Sequence, residues 1–446
     1  MNAALFLGLD IGTSGCRVIA IDASGTPVAQ HGVSLPAPIQ RDKTIEQDAE
    51  IWWQAVVQVL TRLFAKIDPG QIKAISSDAT SGTVLLCDCD GQPLHPALMY
   101  NDTRAFAEAA RIRKIAPHGA AAVTSASSGL AKLLWLQKQN FSHQARYFLH
   151  QADWIAAKLS DRFGFSDVNN SLKSGYDVQN QCWPDWLDAL KVKRDWLPRV
   201  SPPGSPLAPV SADMTQYFGL NKDCLMVTGT TDSTAAFLAT GARQPGDAVT
   251  TLGSTLVLKI ISQQPVAVAE YGIYSQPLPD LSPSPNSELR WLCGGASNSG
   301  GAVLRQYFSD AQMADMQARL DPDRPTGLDY YPLPRRGERF PINDPDLAPR
   351  LTPRPEDDVQ FFQGMLEALA RIEKTGYDRL QQAGAPKPTC VHTSGGGSQN
   401  SAWRKIREQL MQIPVLTATQ TEAAYGAALL AKRGWHNTQW KHRHDK

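Results

Sequence analysis

Membrane-spanning and strongly charged segments are missing from this sequence. No continuous apolar run reaches about 18 residues, the length that a helix needs to cross a bilayer. The first apolar run, 5–9, has no basic leader and is interrupted by Asp10, so we expect no signal peptide. The 44 basic and 43 acidic residues leave a net charge of +1, which argues against nucleic acid or an acidic membrane as the main partner.

Paired cysteines are missing as well. The seven cysteines are an odd number, they are scattered through apolar segments, and no Cys-x-x-Cys pair occurs. This pattern predicts reduced core residues of a cytoplasmic protein, and not a disulfide framework or a zinc site. The basic, histidine-bearing tail that starts at His436 is expected to be a solvated end.

The Gly-Lys-Ser/Thr phosphate loop is also absent, and two similar glycine turns are present instead. In each, an apolar strand, a short turn and a second apolar strand predict a β-hairpin whose amides and hydroxyls suit phosphate oxygens. An ordinary hairpin with a hydrophilic turn is the alternative for either copy taken alone. The turns are Asp10 to Gly15, between the runs 5–9 and 17–21, and Gly253-Ser254-Thr255, within the segment 246–261.

The repeated hairpin organises the whole chain. A length of 446 residues predicts two or three domains. One hairpin at the start of each half predicts two related domains that face each other across a nucleotide cleft. We place the sugar- and phosphate-binding domain at 1–241 and the nucleotide-binding domain at 242–446. Antiparallel strands followed by alternating helices and strands predict an α/β fold class.

Four carboxylates lie near the ends of predicted strands. Asp10 is at the mouth of the first turn, where a carboxylate can hold Mg²⁺ beside phosphates. Asp78 and Asp102 lie in polar segments at strand ends, which bind ligands in open α/β sheets; solvated turns are the alternative. Asp232 lies where a strand at 225–227 meets a helix of small residues, and the helix N-terminus favours its ionised form. A helix cap is the alternative role for Asp232.

Other segments carry periodicity or turn signals. Asp48 is a predicted N-cap of an amphipathic helix, and Val359 to Leu380 is a predicted long amphipathic helix. The proline-rich segments 198–209 and 322–355 are expected to be loops or irregular. The glycine run 294–301 is expected to open a helix over 303–308. The glycine turn 394–398 lies between a strand and a helix, where a flat group or a phosphate can approach the backbone.

Taken in their order along the chain, the motifs of this sequence resemble those of the FGGY family of carbohydrate kinases. The resemblance covers nearly the whole chain, and it implies the two-lobed, actin-like ATPase (ribonuclease H-like) fold with duplicated domains and a central cleft. It also implies an ATP-dependent kinase that uses Mg²⁺ and a small-molecule sugar. The motifs are Asp10-Ile11-Gly12-Thr13-Ser14, Tyr100-Asn101-Asp102-Thr103-Arg104, Lys132 to Leu136, Gly229 to Asp232, Gly253-Ser254-Thr255, Gly337-Glu338-Arg339 with Pro341, Gly395 to Asn400, and Glu422 with Gly426-Ala427-Ala428.

Carried over position by position, the resemblance implies a role for each matching residue. Asp232 resembles the general base that takes the proton of the attacking sugar hydroxyl, and Asp10 resembles the aspartate that organises Mg²⁺. Thr13 and Ser254 resemble the paired donors that hold the ATP phosphates. The expected nucleotide-binding residues are Gly12, Thr13, Ser14, Arg17, Gly253, Ser254, Thr255, Gly300, Gly301, Gly396, Gly397 and Asn400. The expected sugar-binding residues are Asp10, Asp78, Thr80, Ser81, Asp102 and Asp232.

The segment Ala79-Thr80-Ser81-Gly82 departs from familiar family members. Xylulose kinases have Gln-Met-His-Gly here and glycerol kinases have Gln-Arg-Glu-Thr, so the large side chains that grip sugar hydroxyls are missing. With Asp78 and the compact length, the segment looks more like D-ribulose kinases. This favours D-ribulose first, D-xylulose second and a polyol third.

A non-catalytic or chaperone-type ATPase on the same fold is the rival interpretation. It would need an appended substrate-binding domain, and only a short tail follows Gly434. A degraded pseudokinase would lack Asp10 or Asp232, and both are present. The sequence leaves a homodimer open.

Overall fold

The computed structural model describes residues 4–117, 120–281 and 289–444, and the chain divides into two compact units. Unit 1 comprises residues 1–239, 279–288 and 422–446, and unit 2 comprises residues 240–278 and 289–421. The strands are β1 (Leu5–Ile11), β2 (Gly15–Ile21), β3 (Pro27–Ser34), β4 (Ile39–Arg41), β5 (Thr44–Gln47), β6 (Ile72–Ala79), β7 (Val84–Cys87), β8 (Ala97–Leu98), β9 (Tyr147–His150), β10 (Phe165–Asp167), β11 (Arg199–Ser201), β12 (Pro206–Pro209), β13 (Leu225–Thr231), β14 (Asp247–Leu252), β15 (Leu256–Ser262), β16 (Tyr274–Leu278), β17 (Arg290–Ala296), β18 (Cys390–Ser394) and β19 (Val415–Thr417).

The α-helices are α1 (Ala49–Phe64), α2 (Phe106–Ile115), α3 (Gly129–Leu136), α4 (Gln151–Ser160), α5 (Val168–Leu172), α6 (Trp186–Ala189), α7 (Ala212–Phe218), α8 (Asp232–Ala239), α9 (Gly301–Leu304), α10 (Asp310–Gln317), α11 (Asp358–Gln382), α12 (Ser401–Met411) and α13 (Ala423–His444). Short 3₁₀ helices span Pro69–Gln71, Ala121–Val123, Asn140–Gln144, Arg194–Trp196, Ala269–Tyr271 and Gly396–Gln399. Among the described residues, none of the helices is both long enough and apolar enough to cross a membrane.

Five strands of the main sheet follow the same order in both units, β13-β6-β1-β2-β3 in unit 1 and β19-β18-β14-β15-β17 in unit 2. The full order is β12-β13-β6-β1-β2-β3 in unit 1 and β16-β17-β15-β14-β18-β19 in unit 2. In each sheet, an antiparallel hairpin (β1–β2 or β14–β15) is extended by two parallel strands, β6 and β13 in unit 1 and β18 and β19 in unit 2. Strands β4, β5, β8, β7 and β9 form a separate sheet in unit 1. The two expected hairpins and the duplicated α/β fold are confirmed.

Strand β1 is buried because helices cover both faces of its sheet. Side chains alternate along a strand: Leu9 joins the core that contains Trp52 of α1, whereas Phe6 joins the cluster that contains Ala424 of α13. A Cβ atom added to Gly8 would lie 1.9 Å from the Ala424 carbonyl oxygen, so α13 rests directly on the strand backbone. Helix α13 therefore belongs to unit 1 by its contacts, although it falls within the predicted domain 242–446. The functional division near residue 241 stays a prediction.

The two long amphipathic helices form where the sequence predicts them. Helix α1 follows Asp48, whose carboxylate accepts a hydrogen bond from the Glu50 amide at 3.0 Å and so satisfies a free amide of the first turn. Its buried face includes Trp52, Val56 and Leu63 at helical spacing. Helix α11 begins in the same way after Asp357, and it covers the range predicted for it.

A buried ion pair joins helices α11 and α12 in unit 2. Arg407 donates to both carboxylate oxygens of Glu373, at 2.6 and 2.7 Å, and both side chains are 1% exposed. Arg407 also donates to Thr393 Oγ1 at 2.8 Å, and the Thr250 hydroxyl donates to Glu373. Both carboxylate oxygens and all three guanidinium nitrogens thus have partners, which offsets the cost of burying the charges.

Two local expectations are wrong. Residues 290–296 form strand β17, and helix α9 ends at Leu304 and not at Phe308. A Cβ added to Gly294 would lie 2.2 Å from the Leu258 carbonyl oxygen, so this glycine permits close packing inside a strand. The expected loop 198–209 contains β11 and β12, and β12 tolerates its prolines because it is the edge strand of its sheet. The irregular character of 322–355 is confirmed.

Candidate active site

Three carboxylates of unit 1 lie at the ends of neighbouring strands. Asp10 of β1 is opposite Asp78 of β6, and Asp78 is opposite Thr230 of β13. Asp232 follows β13 as the first residue of α8, at the predicted strand-to-helix junction. Because these strands are parallel, their carboxyl ends share the sheet edge at which α/β folds usually bind ligands. The charges of Asp10 and Asp232 both act on Asp78, so the three residues form one electrostatic cluster.

Burial controls the protonation of this cluster. Asp78 is 0% exposed, and neither of its carboxylate oxygens has a hydrogen-bond partner among the described residues. Burial, followed by the charges of Asp10 and Asp232, raises the pKa of Asp78 well above its ordinary value. Burial also raises the pKa of Asp10 to about 6, although the Arg17 charge opposes that increase. Both carboxyl groups therefore bind a proton more tightly than an exposed aspartate does.

Arg17 of β2 is the positive charge beside this cluster. Its Nη1 atom lies 3.3 Å from Asp10 Oδ2, and its Nε atom lies 3.5 Å from Glu422 Oε2. The Arg17 side chain is 48% exposed, so solvent screens both ion pairs. Arg17 therefore offers an accessible cation next to a carboxylate.

The first hairpin turn is closed by its own backbone. The Gly12 amide donates to the Gly15 carbonyl at 2.9 Å. Thr13 is half-buried and Ser14 is exposed. The turn is thus accessible to a ligand, and its amides and hydroxyls are the kind of donors that bind phosphate oxygens.

Asp232 is held at the N-terminus of helix α8. It is half-buried, and its Oδ1 atom accepts a hydrogen bond from the Ser233 amide at 2.6 Å. The positive end of the helix dipole favours the ionised carboxylate. Such a carboxylate can accept a proton from a bound hydroxyl group.

Two buried amide side chains near the carboxylates, those of Gln151 and Asn169, are not predicted from the sequence. Gln151 Oε1 accepts hydrogen bonds from the Thr80 amide at 3.3 Å and the Thr80 hydroxyl at 2.7 Å. Asn169 Nδ2 donates to Thr230 Oγ1 at 2.9 Å. The other amide atoms, Gln151 Nε2 and Asn169 Oδ1, are buried without a partner in the described part of the chain, as is the Ser81 hydroxyl. Since buried polar atoms are normally paired, these atoms favour a polar ligand or water beside them.

Two lysines surround the segment that contains Thr80 and Ser81. Lys132, in the Lys-Leu-Leu-Trp-Leu motif, donates to the carbonyls of Gly82 at 2.7 Å and Met99 at 2.6 Å. It is 0% exposed, and burial lowers its pKa to about 7. Lys173 donates to the Ser81 carbonyl at 3.4 Å; burial lowers its pKa, and the Asp232 charge opposes that shift. Lys132 thus holds the backbone carbonyls of Gly82 and Met99 in place, whereas Lys173 is a cation near the proposed sugar-binding residues.

Asp102 belongs to a different cluster. Its carboxylate accepts hydrogen bonds from the Ile45 amide at 2.6 Å and from Arg104 Nη2 at 2.7 Å. Arg104 also pairs with Glu46 at 2.6 Å. Donors from the protein therefore already bind the Asp102 carboxylate. This hydrogen-bonded network is separate from the contacts that Asp10 and Asp78 make. Its role in sugar binding stays a prediction.

Unit 2 contains a cavity of about 340 Å³ beside its hairpin turn. Its size is that of a small-molecule pocket. Apolar walls come from Phe362, Leu366 and Trp403. Six of the residues predicted to bind nucleotide line it: Gly253, Ser254, Gly301, Gly396, Gly397 and Asn400.

Close packing explains three of the glycines at this cavity, Gly300, Gly301 and Gly397. The Gly301 amide donates to the Gly253 carbonyl at 2.8 Å, and a Cβ added to Gly300 would lie 2.6 Å from Thr255 Cα. A Cβ added to Gly397 would lie 2.5 Å from the Trp403 ring, whereas one added to Gly396 would meet nothing within 4 Å. Side chains at these positions would displace the hairpin or fill the cavity.

Asn400 has a local structural role in addition to its place in the cavity. Its side-chain oxygen accepts a hydrogen bond from the Trp403 amide at 2.8 Å, so it is the N-cap of helix α12. The cap fixes the glycine turn relative to the helix. A contact with nucleotide stays a prediction.

Comparison with known proteins identifies the class of protein as a carbohydrate kinase, in agreement with the motifs of the sequence. The model of the FGGY family of carbohydrate kinases, N-terminal domain, matches residues 5–239, and the C-terminal domain of the same family matches residues 248–435. The xylulose kinase of Escherichia coli (strain K12) is 24% identical over 96% of this chain and 90% of its own length. The gluconokinase of Bacillus subtilis (strain 168) is 22% identical over 95% of this chain and 86% of its own length.

Solved structures agree with the fold. The xylulose kinase of Rhodospirillum rubrum superimposes with a TM-score of 0.81 at 22% identity, over 97% of this chain and 91% of that one. The glycerol kinase of Plasmodium falciparum, solved with ADP, gives a TM-score of 0.85 at 16% identity, over 98% and 90%. The fold is therefore the actin-like ATPase fold of two-domain sugar kinases.

The chain belongs to the FGGY family of carbohydrate kinases. It is an ATP-dependent phosphotransferase whose acceptor is an alcohol group of a sugar or related compound. The resemblance drawn from the ordered motifs is confirmed.

Proposed function

We propose that this kinase transfers the γ-phosphate of ATP to a hydroxyl of a linear ketopentose, with D-ribulose as the first choice. The observation that carries the proposal is the Asp10–Asp78–Asp232 cluster, in which the buried Asp78 carboxylate has no hydrogen-bond partner among the described residues. An unpaired buried acceptor is costly to the fold. Sugar hydroxyls are donors that would satisfy it.

Asp232 is the general base in this proposal. Its position at the start of α8 favours the ionised carboxylate, and the Ser233 amide donates a hydrogen bond to it at 2.6 Å. It accepts the proton of the attacking hydroxyl, while the remaining residues hold the reactants in line. Phosphoryl transfer needs positioning and charge neutralisation more than covalent chemistry, and one carboxylate meets the need for a base.

Asp10 is the residue that we assign to Mg²⁺. Hard oxygen ligands suit this ion, and Asp10 sits beside Asp78 with a pKa raised to about 6, so a bound cation would stabilise its ionised form. When bound, Mg²⁺ would neutralise negative charge on the ATP phosphates. Thr13 and Ser254 donate hydrogen bonds to the phosphates in this proposal, and the unit 2 cavity accepts the adenosine.

The sugar-binding surface consists of short side chains in front of buried amides. Thr80 and Ser81 replace the larger residues of xylulose and glycerol kinases, and they leave space for a linear ketopentose. Gln151, behind Thr80, and Asn169, beside Thr230, are added to the predicted set because each has an unpaired amide atom. The family relatives include proteins named for xylulose, gluconate and glycerol, so these acceptors are the competing substrates.

A coupled ADP-release screen tests the proposal. The acceptors are D-ribulose, D-xylulose, gluconate, glycerol and five-carbon polyols, each with ATP in excess Mg²⁺ and again in excess EDTA. We expect the highest kcat/KM for D-ribulose and loss of turnover in EDTA. A higher kcat/KM for any other acceptor overturns the choice of sugar, and turnover in EDTA overturns the role of Mg²⁺.

A cytoplasmic location, the lack of nucleic-acid and membrane partners, and a homodimer remain predictions from the sequence. Size-exclusion chromatography with light scattering decides the last of these.

A further inference from the structure

A thiol, an imidazole and a carboxylate converge on one face of the unit 2 sheet. Asp247 opens β14, and Cys390 and His392 lie two residues apart on β18. In the parallel register, Asp247 is opposite Cys390 and Val249 is opposite His392, so all three side chains share one face of the sheet. One ligand atom from each lies within 4.8 Å of the others, and Cys390 Sγ is 3.5 Å from Asp247 Oδ1.

The backbone orients the atoms that point away from this convergence. Asp247 Oδ2 accepts hydrogen bonds from the Arg243 amide at 2.8 Å and the Gln244 amide at 2.9 Å, which leaves Oδ1 directed at Cys390. The His392 imidazole is hydrogen-bonded to the Thr240 backbone. Metal-binding histidines and carboxylates characteristically have such outer partners, which fix the ligating atom.

We propose that Asp247, Cys390 and His392 form a zinc site, with water in the fourth position. Sulfur, nitrogen and oxygen ligands in one tetrahedral set are typical of Zn²⁺ and unsuited to Mg²⁺ or Ca²⁺. The three residues are half-buried, which leaves access for the ion and for a water ligand. The spacing along the sequence does not predict the site, because its ligands come from strands that are separated by more than 130 positions.

The site is separate from the proposed nucleotide contacts. It lies at the beginning of β14, whereas Gly253 and Ser254 follow the end of that strand, roughly 15–20 Å away at about 3.3 Å per residue. A zinc ion there would clamp β14 to β18. Both strands lead into turns that line the unit 2 cavity, so the clamp would stabilise the unit without touching the nucleotide.

The test measures metal binding by the full-length protein without substrate. Protein stripped with EDTA and desalted is titrated with ZnCl₂, and with CoCl₂ as a spectroscopic probe. We expect binding of one ion per chain, a thiolate-to-Co²⁺ absorption band and a higher melting temperature with Zn²⁺. Cys390→Ser and His392→Gln should each weaken zinc binding by at least about 100-fold, above the effect of losing an outer partner.

Matched controls separate this site from chance binding. Cys182→Ser removes an exposed thiol elsewhere, and His442→Asn with His444→Asn removes histidines of the tail; both variants should bind zinc as the parent does. Melting temperatures in EDTA show whether each variant is folded. The proposal is overturned if folded Cys390→Ser and His392→Gln bind zinc as tightly as the parent, or if the parent gives no thiolate–Co²⁺ band. In that case, the cluster is an ordinary hydrogen-bonded group.

Discussion

Glu373 of unit 2 and Asp78 of unit 1 are both buried carboxylates, yet their surroundings are opposite. Glu373 accepts two hydrogen bonds from Arg407 at 2.6 and 2.7 Å and another from Thr250. Asp78 has two further carboxylates as neighbours and no hydrogen-bond partner within the described residues. A buried carboxyl group whose partners the protein supplies supports the fold, whereas one left without partners indicates a ligand that is still to bind.

The largest effect should follow from removing the proposed base. Asp232→Asn keeps the size of the side chain but cannot take the hydroxyl proton, so kcat should fall by roughly 10²- to 10⁴-fold. Asparagine caps a helix about as well as aspartate, so the melting temperature should change little. Steady-state kinetics and thermal unfolding measure the two effects, with exposed Asp223→Asn as the matched control. Full turnover by a folded Asp232→Asn protein would remove this residue from the mechanism.

Breaking the buried ion pair between Arg407 and Glu373 should destabilise unit 2. Arg407→Met leaves Glu373 buried without its cation, and we expect a loss of about 3–5 kcal/mol in the free energy of unfolding. Urea unfolding followed by tryptophan fluorescence measures it. The double variant Glu373→Gln with Arg407→Met should recover part of the loss, because no charge is then left alone. Equal losses in the single and double variants would mean that the pair is not coupled.

Replacing the unpaired Asp78 carboxyl should stabilise the fold, which is the opposite of the effect expected for Arg407→Met. Asp78→Asn removes a buried carboxyl group that has no partner among the described residues and lies beside Asp10 and Asp232, so the free energy of unfolding should rise by about 1–3 kcal/mol while kcat/KM for the sugar falls. Asp102→Asn is the matched control, because Asp102 is equally buried but is bonded to Arg104 and the Ile45 amide. That variant should lose stability. If Asp78→Asn also loses stability, the contrast between the two sites is wrong.

The smallest effect concerns pH. The pKa of Asp10 is raised to about 6 in the folded chain, so the folded state binds its proton more tightly than the unfolded state. The stabilisation from this proton is complete below the unfolded pKa and is lost as the pH rises through the folded pKa. Lowering the pH from 7 to 5 should therefore stabilise the parent protein by about 1 kcal/mol relative to Asp10→Asn. Urea midpoints at both pH values measure this difference, and an equal response of both proteins would contradict it.

Local patterns predict what depends on neighbouring residues. The two hairpins, the Asp48 cap, helix α11 and the junction at Asp232 follow from alternation, capping and helical spacing within a few positions. Strand β17 does not, because its glycines resemble a loop until β15 packs against them. The order of the motifs gives the family, but it gives no contact distances.

The missed site residues depend on distant parts of the chain. Gln151 meets Thr80 across 71 positions, and Asn169 meets Thr230 across 61. Both amides lie in segments without a motif, and only the folded sheet brings them beside the strand that carries Asp78. Asp102 is the reverse case. It lies in a clear motif and is predicted as a site residue, but its carboxylate is hydrogen-bonded to Arg104 within the protein.

The contact between Gly8 and helix α13 has a consequence for synthesis on the ribosome. Unit 1 needs α13 to cover the face of its sheet that contains Phe6, but residues 240–421 are translated first. At about 5–20 residues per second, this takes roughly 10–40 s. The nascent chain therefore exposes the apolar sheet face around Phe6 until α13 emerges, and such transiently exposed surface is prone to aggregation.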